Sequence, residues 1–387
     1  MITFLTLAGI ENSTTKRVLY IAKELQKRGH KVNFLSLNWI SRKGSDCRGT
    51  TYFEGIKVKE IQIKNSFIGL FITGPLELIP HLKGLIFLSK PLPPHTIPFM
   101  MSRIFKKNKF ILDVDDWEGI GGGASYSHFG WFKRTLISFL EEYVPIKAKG
   151  VIAASRVLER RAKDMGVKKV AYIPNVAEVP DVNINEKDKE DLIKELGIKK
   201  ERVFLSSGSH SADMVVGGLK YFIEGFSKAK SKNFKLIITG QGKYTDSLKQ
   251  LCDKLNLKNN IRFVGFVDEK KFNTCIAISH VAVVPHNSNY PYTLYALSSS
   301  PRKMYEALAY GLAILGCKTG EINETLGDCE TLVPEGDVNE VGKKIDELIN
   351  MSENKLKELS GKNKDKAEIE YNFKSQGDKV EEFLKTI

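Results

Sequence analysis

Short apolar runs rich in β-branched and aromatic residues alternate with amphipathic helical stretches along this chain, stop, and begin again. The opening "ITFLTLAG", the helix-patterned "TTKRVLYIAKELQKRG" and "HKVNFLSL" form the first instance of the pattern. Val18, Leu19, Ala22 and Leu25 recur at helical spacing between two β-rich runs, which predicts a β-α-β unit and therefore parallel strands. "GLIFL", "KFILDVD", "GVIAAS" and "VAYIPN" read as further strands. Residues 178 to 200, "EVPDVNINEKDKEDLIKELGIKK", interrupt the pattern with charge and little apolar content. It restarts with "RVFLSSGS", "FKLIITGQG", "IRFVGF", "HVAVVPHN", "LAILG" and "TLVPEG", with helix-patterned stretches between several of them. The expected fold class is α/β, with two Rossmann-like doubly wound domains facing each other across a cleft. The expected boundaries are 1–178 for the first domain, 179–200 for a linker and 201–365 for the second domain, with 366–387 as a terminal helix packing back on the first.

At 387 residues there is enough chain for two domains, and 42% hydrophobic content is that of a globular protein. A formal net charge of +13 favours anionic partners: nucleic acid, a membrane surface or a phosphorylated small molecule. Nucleic acid is not expected, because the charge is dispersed and forms no basic stripe with stacking aromatics. Cys47, Cys252, Cys275, Cys317 and Cys329 show no CxxC pair and no zinc spacing, so free thiols in a reducing cytosol are expected. "MITFLTLAGIENS" lacks a basic n-region and a small-residue cleavage pattern and reads as a first strand, not a signal peptide. Pro75, Glu77, Pro80, His81 and Lys83 interrupt the longest apolar stretch, residues 66 to 88, and make it a poor spanning helix. It reads either as core elements of the first domain or as a lipid-contacting patch.

The chemistry-bearing signals fall where strands end. In "SSSPRKMYEALAYGLAIL", residues 298 to 315, Ser300 suits a helix N-cap, Pro301 the first helical position and Gly311 the stop. Arg302 and Lys303 then lie in the first turn, beside unpaired N–H groups, where exposed cations cost about 0.3–1 kcal/mol each. A bound diphosphate reverses that sign. Glu306 follows one turn later, placed either for a surface ion pair with these cations or for a ligand. Gly208, and then Gly240 and Gly242, end two apolar strands and let backbone approach a ligand, although neither turn is a GxGxxG or a P-loop. In the first domain, "ILDVDDWEGIGGG" ends a strand in Asp113, Asp115 and Asp116, beside Trp117 and a flexible triple-glycine turn. Capping the turn, holding a metal, and orienting or deprotonating a substrate hydroxyl all remain open for these carboxylates. His128, in "SYSHFGWFKR", competes as a base. Phe129, Trp131, Phe132, Lys133 and Arg134 of that segment mix aromatic and basic residues as interfacial membrane contacts do.

The run "SPRKMYEALAYGLAIL" resembles the donor-binding signature of glycosyltransferase family 4, the group 1 glycosyl transferases with the GT-B fold. The similarity continues through "GVIAASRVLERRAKDMGVKKVAYIPNVAE", "KLIITGQGKYTDSLKQLCDKLNLKNNIRFVGFV" and "TGEINETLGDCETLVPEGD". The resemblance implies transfer of a sugar from a nucleotide diphosphate donor of UDP or GDP type, with retention of configuration and with no metal or other cofactor. It implies that the second domain binds the nucleotide and the first the acceptor. On that basis Glu306 holds the ribose hydroxyls, and Lys303 with the helix N-terminus holds the diphosphate. Gly208 and Gly240 border the nucleoside, and the loop after Pro285 lines the donor pocket. Gly9, His210, Ser300 and Arg302 complete the expected donor-binding set. Asp116, which matches an acceptor-side carboxylate, is expected to be catalytic together with Lys303, while Asp113, Asp115 and His128 lie on the acceptor side. The chain also departs from the commonest pattern. Ser298 stands where a second glutamate is usual, Ser209 and His210 follow Gly208 where an arginine is usual, and "MVVGGLK" stands where a lysine is expected.

The expected function is thus a retaining glycosyltransferase of the cytosol, at the inner face of a membrane, acting on a glycan or lipid-linked acceptor. Two alternatives stand beside it: a GT-B nucleotide-sugar epimerase, and a catalytically silent sugar-nucleotide or membrane-binding module. The epimerase needs acid and base groups converging on the donor sugar, and the second domain offers few.

Overall fold

A strand that is apolar along its whole length needs cover on both faces, and the runs read above meet that demand in two parallel sheets. The computed structural model describes residues 1–7, 13–38, 49–64, 66–125, 130–178, 184–211, 213–286, 288 and 293–387. One unit comprises Met1–Asn175, Ser298–Ser300 and Phe373–Ile387, and the other Val176–Leu297 and Pro301–Asn372.

The first unit holds β1 (Ile2–Leu7), β2 (Val32–Asn38), β3 (Gly49–Phe53), β4 (Ile56–Gln62), β5 (Leu85–Ser89), β6 (Phe110–Val114), β7 (Val151–Ala153) and β8 (Val170–Tyr172). Their order is β3-β4-β2-β1-β5-β6-β7-β8. Only β3 runs antiparallel, joined to β4 by Glu54 (φ 43°) and Gly55 (φ 86°), whose left-handed conformations suit a tight hairpin. In register, Phe4 lies opposite Phe34 and Phe87, and its ring stacks on both at 5.7 and 4.6 Å. The sheet order reverses between β1 and β5, the switch point at which such sheets bind ligands. The helix Phe373–Lys385 belongs to this unit. Phe373 stacks on Tyr20 at 4.1 Å, Gln376 donates to the Pro174 carbonyl at 2.8 Å, and Val380 is fully buried.

The second unit holds β9 (Arg202–Ser206), β10 (Phe234–Thr239), β11 (Ile261–Gly265), β12 (Val281–Val284), β13 (Ala313–Cys317) and β14 (Leu332–Val333). The order β11-β10-β9-β12-β13-β14 is the 3-2-1-4-5-6 arrangement of a Rossmann sheet, with its switch point between β9 and β12. Phe204, Phe226 and Phe234 meet edge-on or tilted in its core.

Two stretches fold differently from their sequence reading. Within the charged segment assigned to a linker, Glu186–Leu196 form a helix of the second unit, with Asn185 and Asp188 in a reciprocal capping box and Gly197 at φ 64° as the stop. Leu192 and Leu196 supply its buried side, and Asp188 and Glu195 pair outward with Lys270 and Lys271, each at 2.9 Å. The terminal segment is two helices, Glu353–Glu370 and Phe373–Lys385, and the chain passes from one unit to the other between them. The apolar stretch 66–88 becomes the short helical pieces Gly69–Thr73, Gly74–Leu78 and Ile79–His81, followed by β5. No helix among the described residues is long and apolar enough to cross a membrane. Cys252, Cys275 and Cys317 are buried free thiols.

Candidate functional site

In the second unit the loops leaving β9, β10 and β12 interlock, and glycine is what lets them. A side-chain carbon on Gly240 (φ 95°) would lie 1.9 Å from the Gly208 carbonyl oxygen, and one on Gly242 would lie 2.4 Å from the His210 backbone. One on Gly218 would lie 1.8 Å from the Pro285 carbonyl, so the helix Asp213–Lys228 packs directly on the loop after β12. His210 is fixed in this arrangement. Its N–H donates to the Gln241 carbonyl at 3.2 Å, its carbonyl accepts from the Tyr244 N–H at 3.0 Å, and its Nδ1 meets Thr245 Oγ1 at 3.0 Å. Ser288 donates through both N–H and hydroxyl to the Glu335 carboxylate, tying the loop after β12 to the loop after β14.

The helix Arg302–Tyr310 begins at this edge. Met304, Tyr305, Ala307, Leu308 and Ala309 bury its inner side, and Gly311 at φ 70° ends it, as its sequence predicts. The predicted cap is different. Pro301 occupies the N-cap without a side-chain bond. The Ser300 hydroxyl instead accepts from the Asn175 N–H at 3.1 Å, and the Ser300 carbonyl accepts from Asn175 Nδ2 at 2.8 Å, so Ser300 is engaged in the first unit. Ser298 likewise accepts there from the Trp117 N–H at 3.1 Å. The first turn is left with its N–H groups uncapped by any side chain and with two cations. Arg302 Nε pairs with Glu306 Oε1 at 3.0 Å, the ion pair that the spacing allowed.

Lys303 points the other way. Its ammonium lies 3.0 Å from where a side-chain carbon on Gly208 would sit, and Gly208 holds φ 143°. Burial pulls the Lys303 pKa down to about 8, with Glu306 opposing the shift. His286 is pushed down to about 3 by burial and by Lys303, and His210 is lowered for the same two reasons. Both imidazoles are therefore neutral at pH 7. Gly208, His210, Gly240, Pro285, His286 and Lys303 thus surround one positively charged edge of the sheet.

In the first unit, Arg17 and Lys90 organise the carboxylates that end β6. Arg17 is buried and donates through Nε and Nη2 to Asp113, at 3.0 to 3.3 Å. It also donates to the carbonyls of Ile173 and Pro174 and to Asn175 Oδ1, at 2.7, 3.0 and 3.1 Å. Asp113, 1% exposed, is closed off by this contact. Lys90 follows β5 at φ 51°, a left-handed conformation that a lysine holds only when its surroundings fix it. Its ammonium reaches Asp115 at 2.8 Å, Asp116 at 3.0 Å and Glu118 at 2.8 Å. Burial works against that charge, but the three carboxylates outweigh it and hold Lys90 well above the ordinary lysine range. Burial raises Asp116 to about 7, with Lys90 opposing and Asp115 and Glu118 adding to the rise. With 18% of its side chain exposed, Asp116 is the most open of these carboxylates.

The triple glycine is a close-packing device rather than a flexible hinge. Side-chain carbons on Gly119 and Gly122 would lie 2.7 and 1.9 Å from Trp117 atoms, and one on Gly123 would lie 2.2 Å from Glu118 Oε2. The Trp117 ring lies under the Arg161 guanidinium at 3.4 Å and donates to the Ile120 carbonyl at 2.9 Å. Glu141, fully enclosed in the helix Trp131–Lys147, is raised well above the usual carboxyl range by burial and by Glu118. No group of three or more His, Cys, Asp or Glu among the described residues could hold a metal ion. Gly9, His128 and Phe129 lie outside the described residues.

Sequence reasoning missed Arg17, Lys90, Glu118, Glu141 and His286. Lys90 carried one usable signal, its place at the carboxyl end of the strand run "GLIFL"; nothing in "TTKRVLYIA" separates Arg17 from Lys16.

Two parallel doubly wound units in this strand order place the chain in the GT-B structural class. HepE from Anabaena, solved with UDP and glucose, superposes with a TM-score of 0.73 at 16% identity, covering 100% of this chain and 99% of that one. Sucrose-phosphate synthase from Thermosynechococcus elongatus superposes with a TM-score of 0.74 at 13% identity, covering 100% and 99%. These likenesses establish the fold. Residues 188–366 match the model of the glycosyl transferases group 1 family. An uncharacterized glycosyltransferase of Methanocaldococcus jannaschii is 26% identical over 237 residues, 57% of this chain, and the match spans about half of that relative, 52%.

Proposed function

We propose that the chain is a retaining glycosyltransferase that moves a sugar from a nucleoside diphosphate donor, of UDP or GDP type, to a hydroxyl of a glycan or lipid-linked acceptor at the cytoplasmic face of a membrane. The observation that carries this reading is Lys303, a desolvated cation at a helix start with no hydrogen bond or ion pair among the described residues. A cation kept in so unfavourable a place is explained by an anion that arrives with the substrate.

In the reaction, the bond between the anomeric carbon and the diphosphate oxygen breaks while the acceptor oxygen bonds to that carbon on the same face. The diphosphate gains negative charge in the transition state, so Lys303 and the helix N–H groups stabilise it differentially. Glu306 accepts the ribose hydroxyls after leaving Arg302, a cheap exchange because the Arg302 side chain is 42% exposed. On the acceptor side, Asp116 orients the hydroxyl and takes its proton, and Lys90 with Asp115 and Glu118 sets the pKa at which it does so. The donor is a co-substrate, and no metal or other cofactor takes part.

Thermal melts with UDP, GDP, ADP and their sugars test the donor site, since a ligand of the folded state raises the melting temperature. One nucleotide family shifts the melt of the wild type and not of Lys303→Ala. If none shifts it and Lys303→Ala transfers sugar as fast as wild type, the diphosphate site is wrong. Product analysis separates transfer from epimerisation, and an unchanged rate in chelator supports the absence of a metal.

A further inference from the structure

Large apolar side chains exposed to solvent concentrate in one part of the first unit. Phe67, Ile68, Ile72 and Leu76 come from the helical stretch before β5, Ile104 and Phe105 from just past the helix Pro93–Ser102, and five more from the helix Trp131–Lys147. These three segments adjoin: Lys106 donates to the Ile79 carbonyl at 3.0 Å, and the Arg103 guanidinium is close enough to Tyr143 for its charge to respond to it. The helix Trp131–Lys147 is apolar on both sides. Its inner side buries Ile137, Leu140 and Val144, while Trp131 (77% exposed), Phe132 (68%), Phe139 (55%), Tyr143 and Ile146 lie on its outward side, with Thr135 and Glu142 among them. Phe139 and Tyr143 stack at 5.2 Å along it, and the Lys147 ammonium lies 5.1 Å from the Tyr143 ring. A soluble helix carries its polar side outward, so this one lacks its cover.

Charge identifies the cover. Residues 64–83, 103–109 and 131–149 together contain ten Lys and Arg and three Glu, and one of those, Glu141, is buried. Lysine is depleted from protein–protein interfaces, whereas Lys and Arg around exposed Trp, Phe and Tyr suit an anionic bilayer, with the rings at the headgroup level and the cations at the phosphates. We infer that the outward face of the helix Trp131–Lys147, with Phe67, Ile72, Ile104 and Phe105 beside it, is a docking surface for an anionic lipid bilayer, entered in the interface plane without spanning. The inference rests on the membrane location proposed above and not on the transfer chemistry.

Flotation of the full chain tests it, with phosphatidylcholine vesicles, vesicles with 30 mol% phosphatidylglycerol, and three proteins: wild type, Trp131→Ser/Phe132→Ser/Phe139→Ser, and Lys106→Glu/Lys107→Glu/Lys109→Glu. Wild type floats with the anionic vesicles at low salt and much less with the neutral ones. The aromatic variant loses at least tenfold in vesicle partitioning, and the charge variant loses most of its preference for phosphatidylglycerol. UDP and GDP melting shifts, measured in parallel, stay as in wild type and show both variants folded, so failure here is distinct from failure of the donor site. Wild type remaining at the bottom with anionic vesicles at low salt overturns the inference, as does an aromatic variant that floats like wild type. A wild-type dimer in sedimentation that the aromatic variant dissolves also overturns it, assigning this face to a second copy.

Discussion

The Lys303 ammonium occupies the space over Gly208 where any side chain at 208 would begin, 3.0 Å from its first carbon. The absent side chain at 208 and the desolvated cation at 303 are two halves of one device: the glycine admits the lysine to the loop after β9, beside the diphosphate position proposed above. Gly208→Ala therefore strikes twice. At φ 143° an alanine costs about 1–3 kcal/mol of backbone strain, and its methyl displaces Lys303. The expected result is a lower denaturant midpoint together with at least a tenfold rise in donor Kd by calorimetry. A variant with wild-type donor affinity would show that Lys303 does not need this position.

Lys303 also opposes stability and function. Its folded pKa, about 8, lies below the ordinary value of 10.5, so the unfolded state binds more protons between those pH values and stability rises across that window. At pH 7 the charged lysine is a net liability, and Lys303→Met should stabilise the free protein by about 1–3 kcal/mol. The same variant should bind no nucleoside diphosphate. Urea unfolding at pH 7 and pH 10 reads both halves: the gain of the variant over wild type shrinks at the higher pH.

On the proposed mechanism, Asp116 and Lys303 together should set the pH profile. Asp116 is ready to accept a proton only above about 7, and Lys303 carries its charge only below about 8, so kcat/KM should follow a narrow bell between those limbs. Asp116→Asn should lower kcat by about 10²–10⁴-fold. Lys303→Arg, which stays charged, should remove the alkaline limb while leaving the acid one in place. An alkaline limb that persists in Lys303→Arg assigns it to another group.

The strands and the donor-side helix were legible because their signals are local. Short runs dominated by apolar residues, "ITFLTL", "RVFLS" and "FKLIIT", identify β1, β9 and β10, and "SPRKMYEALAYG" encodes a helix start, a stop and the 302-to-306 spacing within a dozen positions. Hairpin β3–β4 escaped because "GTTYFEGIKVKEIQ" alternates polar and apolar residues at a sheet edge and offers no buried run. The cap failed differently. A serine before a proline suits an N-cap anywhere, but Ser300 spends its hydroxyl on Asn175, 125 positions away. The carboxylate cluster after β6 depends almost wholly on such distant partners. Asp113 and Asp116 stand out in "DVDD", but Arg17 lies 96 positions from Asp113 and Lys90 26 from Asp116, and these cations decide which carboxylate is closed and which is open.

Glu141 gives the first unit a pH dependence of its own. Its folded pKa is raised, so the folded state keeps a proton that the unfolded chain releases as pH rises through about 4.5. Stability should therefore fall as pH increases from there toward 7, with Asp116 contributing in the same direction. Glu141→Gln keeps the shape without the titration. It should raise the urea midpoint at pH 7 and change it little at pH 4, whereas an equal effect at both values would exclude titration as the cause.

Arg17 and Asp113 provide the sharpest test of what holds the edge after β6 together. Both are buried, and Arg17 also satisfies the carbonyls of Ile173 and Pro174, so it binds the helix Ser13–Lys27, the end of β6 and the chain after β8 at one point. Arg17→Met leaves Asp113 buried without its cation and should cost about 3–5 kcal/mol, because the desolvation of the carboxylate is no longer offset. Asp113→Asn should cost less, since the amide still accepts from the guanidinium and no uncompensated negative charge remains. The double variant should recover part of the Arg17→Met loss, giving a coupling of about 0.5–3 kcal/mol in a double-mutant cycle by urea unfolding. Strict additivity would show that Arg17 acts through the backbone carbonyls alone, and that Asp113 owes its closure to packing rather than to the ion pair.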